Sequence, residues 1–560
     1  MKRIILLLMG FILFLPFSSR GEEVGDLFAK LRSGKHVVID SVHYTGSDFA
    51  KAVKGFLMQR GRGKGWTRGE RITVSKVKPK TIARLAAAFK SYLDKGYGYR
   101  GEDRACFYYD PDNEFYAYQY DAGTQTLWML KASVGKEICV PSDWTTLDFL
   151  DATEPDPFEK ADTAQLKMLG LSRLWQGVNR WFVFRDRITV NWDSLYVAVM
   201  PEMLAARTEE ESLEVLQKMV AYAKDGHTYV YGSSRKYPAP FTTIMIDSCV
   251  YIKEVLSDKL ALKSGLEIKA IDGLPVREYA RRYVVPYIAS STPQWTIHEA
   301  FDGRGLLMRM EGDTVKVELK DGSVVRYVSG SDKRDIRSRQ KPIFQLSRPT
   351  KDIALLKINT FMGNDFQKQF SEVYDSLYES KALILDIRGN GGGNSGNGDF
   401  VMRMLCTDSI PTGHWESPTY IPAFTSWGIT PEPYRGGGEK MAPFKDVPLY
   451  GNPIVILADR GTFSAAEDFI GLFRGAKRGI VIGTPTGGST GNGVRIELIP
   501  GHSWANICSK HDTAPDGTEF VGSGFQPDIQ VEETWKSLFE DPIDRATLKA
   551  LEYLNGLLEK

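Results

Sequence analysis

From Asp352 onward, short and wholly apolar runs alternate with amphipathic helical stretches, and this rhythm constrains the fold more than any other feature of the sequence. Ile353–Ile358 and Ala382–Ile387 read as strands on either side of a helix over 366–378. Pro453–Ala458 and Gly479–Gly483 read as strands on either side of a helix over 464–475. Apolar runs this short and continuous suit strands buried on both faces, as in a parallel sheet covered by crossover helices. The expectation is therefore an α/β core over 345–540, followed by an amphipathic C-terminal helix within 541–560.

The rest of the chain divides by local pattern. Lys2 and Arg3 precede an apolar run from Ile4 to Phe17, and Ser18 and Ser19 follow. That is the pattern of a secretory signal over 1–22, in a run short for a membrane span; the alternative is an uncleaved N-terminal anchor. The protein is expected to be exported, periplasmic or extracellular, with no integral membrane span after signal removal. Residues 23–150 have a helical stretch at Thr81–Leu93 and strand-like aromatic alternation from Phe107 to Leu130, an α+β region without an assigned role. Gly61–Gly65 lacks the Lys-Ser/Thr ending of a phosphate loop and reads as a basic turn.

A helical segment is expected over 158–235, with helices at 163–182, 192–206 and 209–223. The last opens at Thr208-x-x-Glu211, a capping-box spacing, and Gly226 is expected to supply its left-handed stop. Residues 238–330 change to short strands and turns, with a tight Asp272-Gly273 turn between two strands.

Composition excludes several classes of function. Lys plus Arg is 71 against 70 Asp plus Glu, so a net charge of +1 gives no footprint for nucleic acid. The five cysteines lie far apart with no Cys-x-x-Cys pair, and the seven histidines show no metal spacing. One bridge, Cys106 to Cys139, would be compatible with export. No metal and no organic cofactor is expected.

Three segments of the α/β core carry groups suited to chemistry. The strand over 383–387 runs into Gly389-Asn390-Gly391-Gly392-Gly393, where exposed amides could hold an oxyanion or simply make a tight turn. The strand over 454–458 ends in a short turn and Ser464 opens a helix. Ser464-x-x-Glu467 is a capping box, yet the same strand-to-helix elbow also exposes a nucleophile and aims the next amide at an anion. The third is Pro515–Asp528, expected as a turn, a short strand and another turn.

In order, strand-Asp386-x-Arg388-x-Asn390-Gly-Gly-Gly, Thr462-x-Ser464-Ala465-x-Glu467, Gly483-Thr-Pro-Thr-Gly-Gly488 and Gly524-x-x-Pro527-Asp528 resemble the carboxyl-terminal processing peptidases and their tricorn-like relatives. Ser264-Gly265-Leu266 through Gly273-Leu274-Pro275-Val276 resembles PDZ domains, with Glu267 where Gly-Asp is commoner. The resemblance implies a crotonase-like peptidase core and a PDZ-like domain whose groove either takes a peptide strand or is blocked. In the processing branch a Lys acts as general base, and the corresponding position is Ser489, which cannot serve; Lys477 reads as solvated. The tricorn-like branch uses Ser, His and Glu, and Asp225-Gly226-His227-Thr228 resembles its "DGHT" motif.

The resemblance thus implies an exported serine endopeptidase acting on proteins or peptides through an acyl-enzyme. Ser464 would be the nucleophile and His227 the base, with His502 and His511 as the next candidates. The amides of Ala465 and of Gly391 or Gly392 would form the oxyanion hole. The family's usual carboxylate position is Val521 here, so Glu519 is expected to orient His227 from the same strand face. Asp512, Asp516 or a bare Ser-His pair are the alternatives. The rival function is a peptide- or ligand-binding protein that does not cleave.

Overall fold

The computed structural model describes residues 163–233, 236–303, 305–331 and 341–559, together with the backbone of six strands between Val37 and Ser133. The chain divides into two compact units, residues 1–160 and 161–560. In the first, the six strands form one antiparallel-paired sheet, and Glu114–Asp121 pairs with Thr126–Ser133 where the aromatic alternation predicted strands. The signal pattern, the helix expected at Thr81–Leu93, the Gly61–Gly65 turn and Cys139 lie outside the described residues.

The second unit is built on a six-stranded sheet. Its order is Phe344–Ser347, Ile353–Ile358, Ala382–Asp386, Ile454–Ala458, Gly479–Gly483 and Ile529–Gln530, antiparallel at the first pair and parallel at every other. Every residue of Ala382–Asp386 and Ile454–Ala458 is buried. Successive side chains of a strand point to opposite faces. Accordingly Leu383, Leu385, Ile454 and Ile456 join a core that includes helices Phe366–Tyr378, Ser395–Leu405 and Ala465–Gly475. Ala382, Ile384, Val455 and Leu457 pack instead on the C-terminal helix Arg545–Leu558. Both faces are covered, which is why these strands read as unbroken apolar runs.

Helices Thr163–Trp181, Trp192–Ala205 and Glu209–Ala221 contribute Leu174, Met203 and Leu216 to the first of these cores. Thr208 caps the third, its side chain accepting from the Glu211 amide at 3.1 Å. The stop after this helix differs from expectation: the left-handed residue is Lys224, at φ +51°, and Gly226 is not left-handed. A smaller antiparallel sheet runs Val324–Val328, Thr314–Leu319, Glu267–Ile271, Cys249–Val255 and Phe241–Ile246, with its own core of Val250, Ile252, Ile268, Val315 and Val317. Asp272 and Gly273 both take positive φ, as a two-residue hairpin turn between paired strands requires.

One buried charge ties the main sheet to its covering helix. Burial would raise the Asp386 carboxyl, but Arg388 and Lys357 overturn that and hold it well below the ordinary carboxylate range. Arg388 also bonds Asp544 at 2.8 Å, the residue that caps the C-terminal helix. Arg388→Ala takes the guanidinium from both carboxylates, leaving Asp386 to Lys357 and the backbone amide of residue 388, and Asp544 to its helix-cap bonds with Thr547. The expected loss is about 3 kcal/mol in urea unfolding, the order found when one partner of a buried ion pair is removed.

Candidate active site

Ser464 directly precedes the helix Ala465–Gly475, at the end of the short link from strand Ile454–Ala458. Its backbone is at φ +58°, ψ −128°, a conformation costing a non-glycine residue about 1–3 kcal/mol unless its surroundings impose it. The Ser464 amide donates to the Ser489 carbonyl at 3.1 Å, and the Ser464 carbonyl accepts from the amides of Glu467 and Asp468 at 2.7 and 3.1 Å. The expected capping box does not form: the Ser464 hydroxyl caps nothing and is left for other work.

The Glu467 carboxyl turns inward and is fully buried. It accepts from the Thr486 hydroxyl at 2.5 Å and from the amides of Gly488 and Ser489, each at 2.9 Å. Burial pushes its pKa up to about 8 against the pull of those three donors. One turn from Ser464, burial with Asp512's charge behind it pushes Asp468 up to about 6, although Ser395 donates to it at 2.8 Å.

The glycine turn after strand Ala382–Asp386 packs on this elbow. A Cβ on Gly392 would lie 2.7 Å from the Ser464 Cβ and 2.8 Å from the Ala465 amide nitrogen, so no side chain fits there. The two glycines singled out as oxyanion donors separate here. The Gly392 amide is already committed to Asn390 Oδ1 at 2.9 Å. Among the described residues the amides of Gly391 and Ala465 donate to no protein acceptor.

His227 comes from the other side. Its carbonyl accepts from Asn506, and Thr228 accepts from the Cys508 amide at 3.0 Å, fixing the segment to strand Ser503–Cys508. Its Nε2 lies 2.9 Å from Ser464 Oγ. Its Nδ1 lies 3.0 Å from Ser489 Oγ, and the Ser489 hydroxyl donates to Asp225 Oδ1 at 3.0 Å. The imidazole stacks on Phe463 at 4.9 Å and 10°, and Phe463 stacks on Trp295 at 3.8 Å. A Cβ on Gly226 would meet the Phe463 ring at 2.8 Å, so this glycine serves close approach and not the helix stop. Burial lowers the His227 pKa below its ordinary 6.5, while the charges of Asp225 and Asp512 pull the other way.

Ser464 and His227 are therefore brought together, but Glu519 is not. The segment from Pro515 to Asp528 is turns, not strand, so positions 519 and 521 share no sheet face. Val521 is buried and its carbonyl accepts from Arg187, while Glu519 is 54% exposed and lies 2.7 Å from His511 Nε2. His502 Nδ1 lies 3.2 Å from the Glu209 carboxylate and Asp516 accepts from the Thr518 amide, so neither is bonded to His227 or Ser464. Lys477 is exposed. Asp512 is paired with Lys510 and reaches His227 through its field alone. Sequence reasoning missed Asp225 and the role of Ser489, although one lies inside the motif that marked His227 and the other at the position searched for a lysine. Their convergence depends on long-range contacts without a local signature. Among the described residues no group of side chains could hold a metal, and Cys249, Cys406 and Cys508 are free.

An elbow serine against an imidazole, beside unused amides at a helix start, is an arrangement suited to nucleophilic attack assisted by a neighbouring base. Residues 352–531 match the model of Peptidase family S41. The chain is 28% identical over 183 residues to the chloroplastic C-terminal processing peptidase of Tetradesmus obliquus, covering 32% of this chain and 35% of the relative. It is 27% identical over 214 residues to the carboxyl-terminal-processing protease of Synechocystis sp., covering 38% and 45%. The chain thus spans less than half the length of these curated relatives. In fold, it is similar to the crystal structure of mature CPAF, with a TM-score of 0.55 and 15% identity over 70% of this chain and 96% of that one.

The buried Glu467 carboxyl generates a stability prediction. Glu467→Gln turns one accepting oxygen into an N–H₂ group facing a donor, which should cost about 1–3 kcal/mol. A lowered thermal midpoint with unchanged far-UV dichroism is the expected reading.

Proposed function

We propose that the chain is an exported serine endopeptidase that hydrolyses peptide bonds in proteins or peptides. The observation that carries this reading is the 2.9 Å contact between Ser464 Oγ and His227 Nε2, at a serine whose backbone is left-handed. Ser464 attacks the scissile carbonyl as its proton passes to His227, and a tetrahedral oxyanion forms beside the amides of Ala465 and Gly391. His227 then protonates the leaving amine, and water hydrolyses the acyl-enzyme by the same route in reverse. The positive end of the helix Ala465–Gly475 favours the negative charge there.

The apolar run after Lys2 and Arg3 supports export, and among the described residues no helix is long and apolar enough to cross a membrane. The parallel sheet with its crossover helices supports a crotonase-like core over 345–540. The five-strand antiparallel arrangement within 238–330 supports a PDZ-like domain that presents peptide to the cleft. The non-cleaving rival rested on the missing carboxylate at Val521. A serine already in contact with its base favours catalysis.

Labelling by a fluorophosphonate tests the nucleophile. Ser464→Ala should lose both the label and essentially all peptide hydrolysis, and Ser464→Asp should not restore either. Since the base must be unprotonated, activity should rise with pH and reach half its plateau below 6.5, because burial holds His227 under that value. A separate expectation concerns Glu519. Glu519→Gln should leave kcat within about two-fold of wild type, because the residue is on His511 and away from the dyad.

A further inference from the structure

His227 has two ring nitrogens, and both are engaged. The partner of Nδ1 is the Ser489 hydroxyl, which is fully buried, and beyond it lies the carboxyl of Asp225, only 2% exposed. A hydroxyl has one hydrogen and two lone pairs, while a carboxylate only accepts. The Ser489 proton is therefore given to Asp225 Oδ1, and the oxygen of Ser489 must accept from the imidazole. That assigns hydrogen to Nδ1 and leaves the Nε2 lone pair facing the Ser464 hydroxyl.

We infer that Ser489 and Asp225 act as positioning residues in place of a direct triad acid, the serine hydroxyl relaying the carboxylate's hold to the catalytic imidazole. The inference rests on the peptidase reading of Ser464 and His227 and deepens it. When Ser464 attacks, its proton moves to Nε2 and the ring becomes an imidazolium. Nδ1–H then donates more strongly to Ser489, whose own proton stays on its oxygen and donates more strongly to Asp225. No proton leaves Ser489, and charge balances as an ion pair of imidazolium and carboxylate across one hydroxyl.

The relay is rigidly built. Asp225 Oδ2 accepts from Thr228 at 2.7 Å, and Oδ1 also accepts from Ser291 at 3.3 Å. The Ser489 amide is held by Glu467 and its carbonyl by the Ser464 amide. The charged groups that bear on the ring are Asp225 and, more weakly, Asp512, the latter paired with Lys510. Asp225 is the one with a hydrogen-bonded path to the ring.

The test uses the full chain and two independent measurements. ¹⁵N-histidine NMR above the His227 pKa reads the tautomer directly: hydrogen on Nδ1 is expected, and a neutral ring with hydrogen on Nε2 overturns the relay whatever the activity. In kinetics, Ser489→Ala and Asp225→Asn should each lower kcat on the order of 10²-fold with KM within about two-fold. Because the two act as one path, the double variant should fall no further than the lower single; fully additive losses overturn the proposal. Asp225→Asn removes a charge that favours the imidazolium, so the acid limb of its pH profile should move to lower pH, which a merely structural defect would not produce. Wild-type rates in Ser489→Ala overturn the relay while leaving the peptidase reading intact. A wild-type chain that neither takes a fluorophosphonate on Ser464 nor cleaves peptide defeats that reading, and the NMR result still decides the tautomer.

Discussion

Ser489 is held by all three of its polar groups, and the site depends on that one residue staying in place. Its carbonyl takes the Ser464 amide, its amide takes Glu467, and its hydroxyl stands between His227 and Asp225. These partners come from two separate stretches of the chain, 464–467 and 225–227. None could shift independently without leaving a buried polar group unpaired, at a cost of about 1–3 kcal/mol each. The left-handed backbone at Ser464 persists because its own amide is one of those partners.

The elbow shows how a strained residue can be accommodated beside a helix. In an ordinary N-terminus Ser464 and Glu467 would satisfy one another's amides. Here the glutamate is used elsewhere and the serine hydroxyl is free to meet an imidazole. Glu467 stabilises the Thr486–Ser489 loop from inside the protein, and so fixes the distance between the helix start and the segment bearing Ser489. The two glycines before the elbow play different parts. Gly392 allows backbone against backbone, and Gly391 leaves an amide uncommitted.

Much of this was legible in the sequence where the cause was local. The apolar runs at 382–387 and 453–458 announced strands covered on both faces, and the strand-to-helix elbow marked Ser464. His227 was singled out by a family resemblance of the Asp225–Thr228 motif and not by a local rule. The errors arose where local rules met long-range competition. Ser464-x-x-Glu467 has the spacing of a capping box, but Thr486, Gly488 and Ser489 compete for the carboxyl and win. Glu519 was placed by strand alternation in a segment that folds as turns, because Phe520 packs on Phe525 at 4.6 Å and Val521 is buried beside it. Ser489 stands at the position searched for a lysine base, and its hydroxyl lies instead between His227 and Asp225.

The link that leads into Ser464 is also fastened to the smaller sheet's neighbourhood. Arg460 makes a two-pronged contact with Asp302, at 2.7 and 2.9 Å, and donates to the Met245 carbonyl. Above it, His298, Trp295, Phe463 and His227 form a continuous column of rings. The segment that family likeness picks out, 352–531, contains Ser464 and Ser489 but not His227, Asp225, Trp295 or Asp302. The stretch picked out by that likeness is thus narrower than the stretch whose side chains meet at Ser464. A fragment cut at those borders would be a lock without its key, carrying Ser464 and Ser489 and none of the histidine side that meets them.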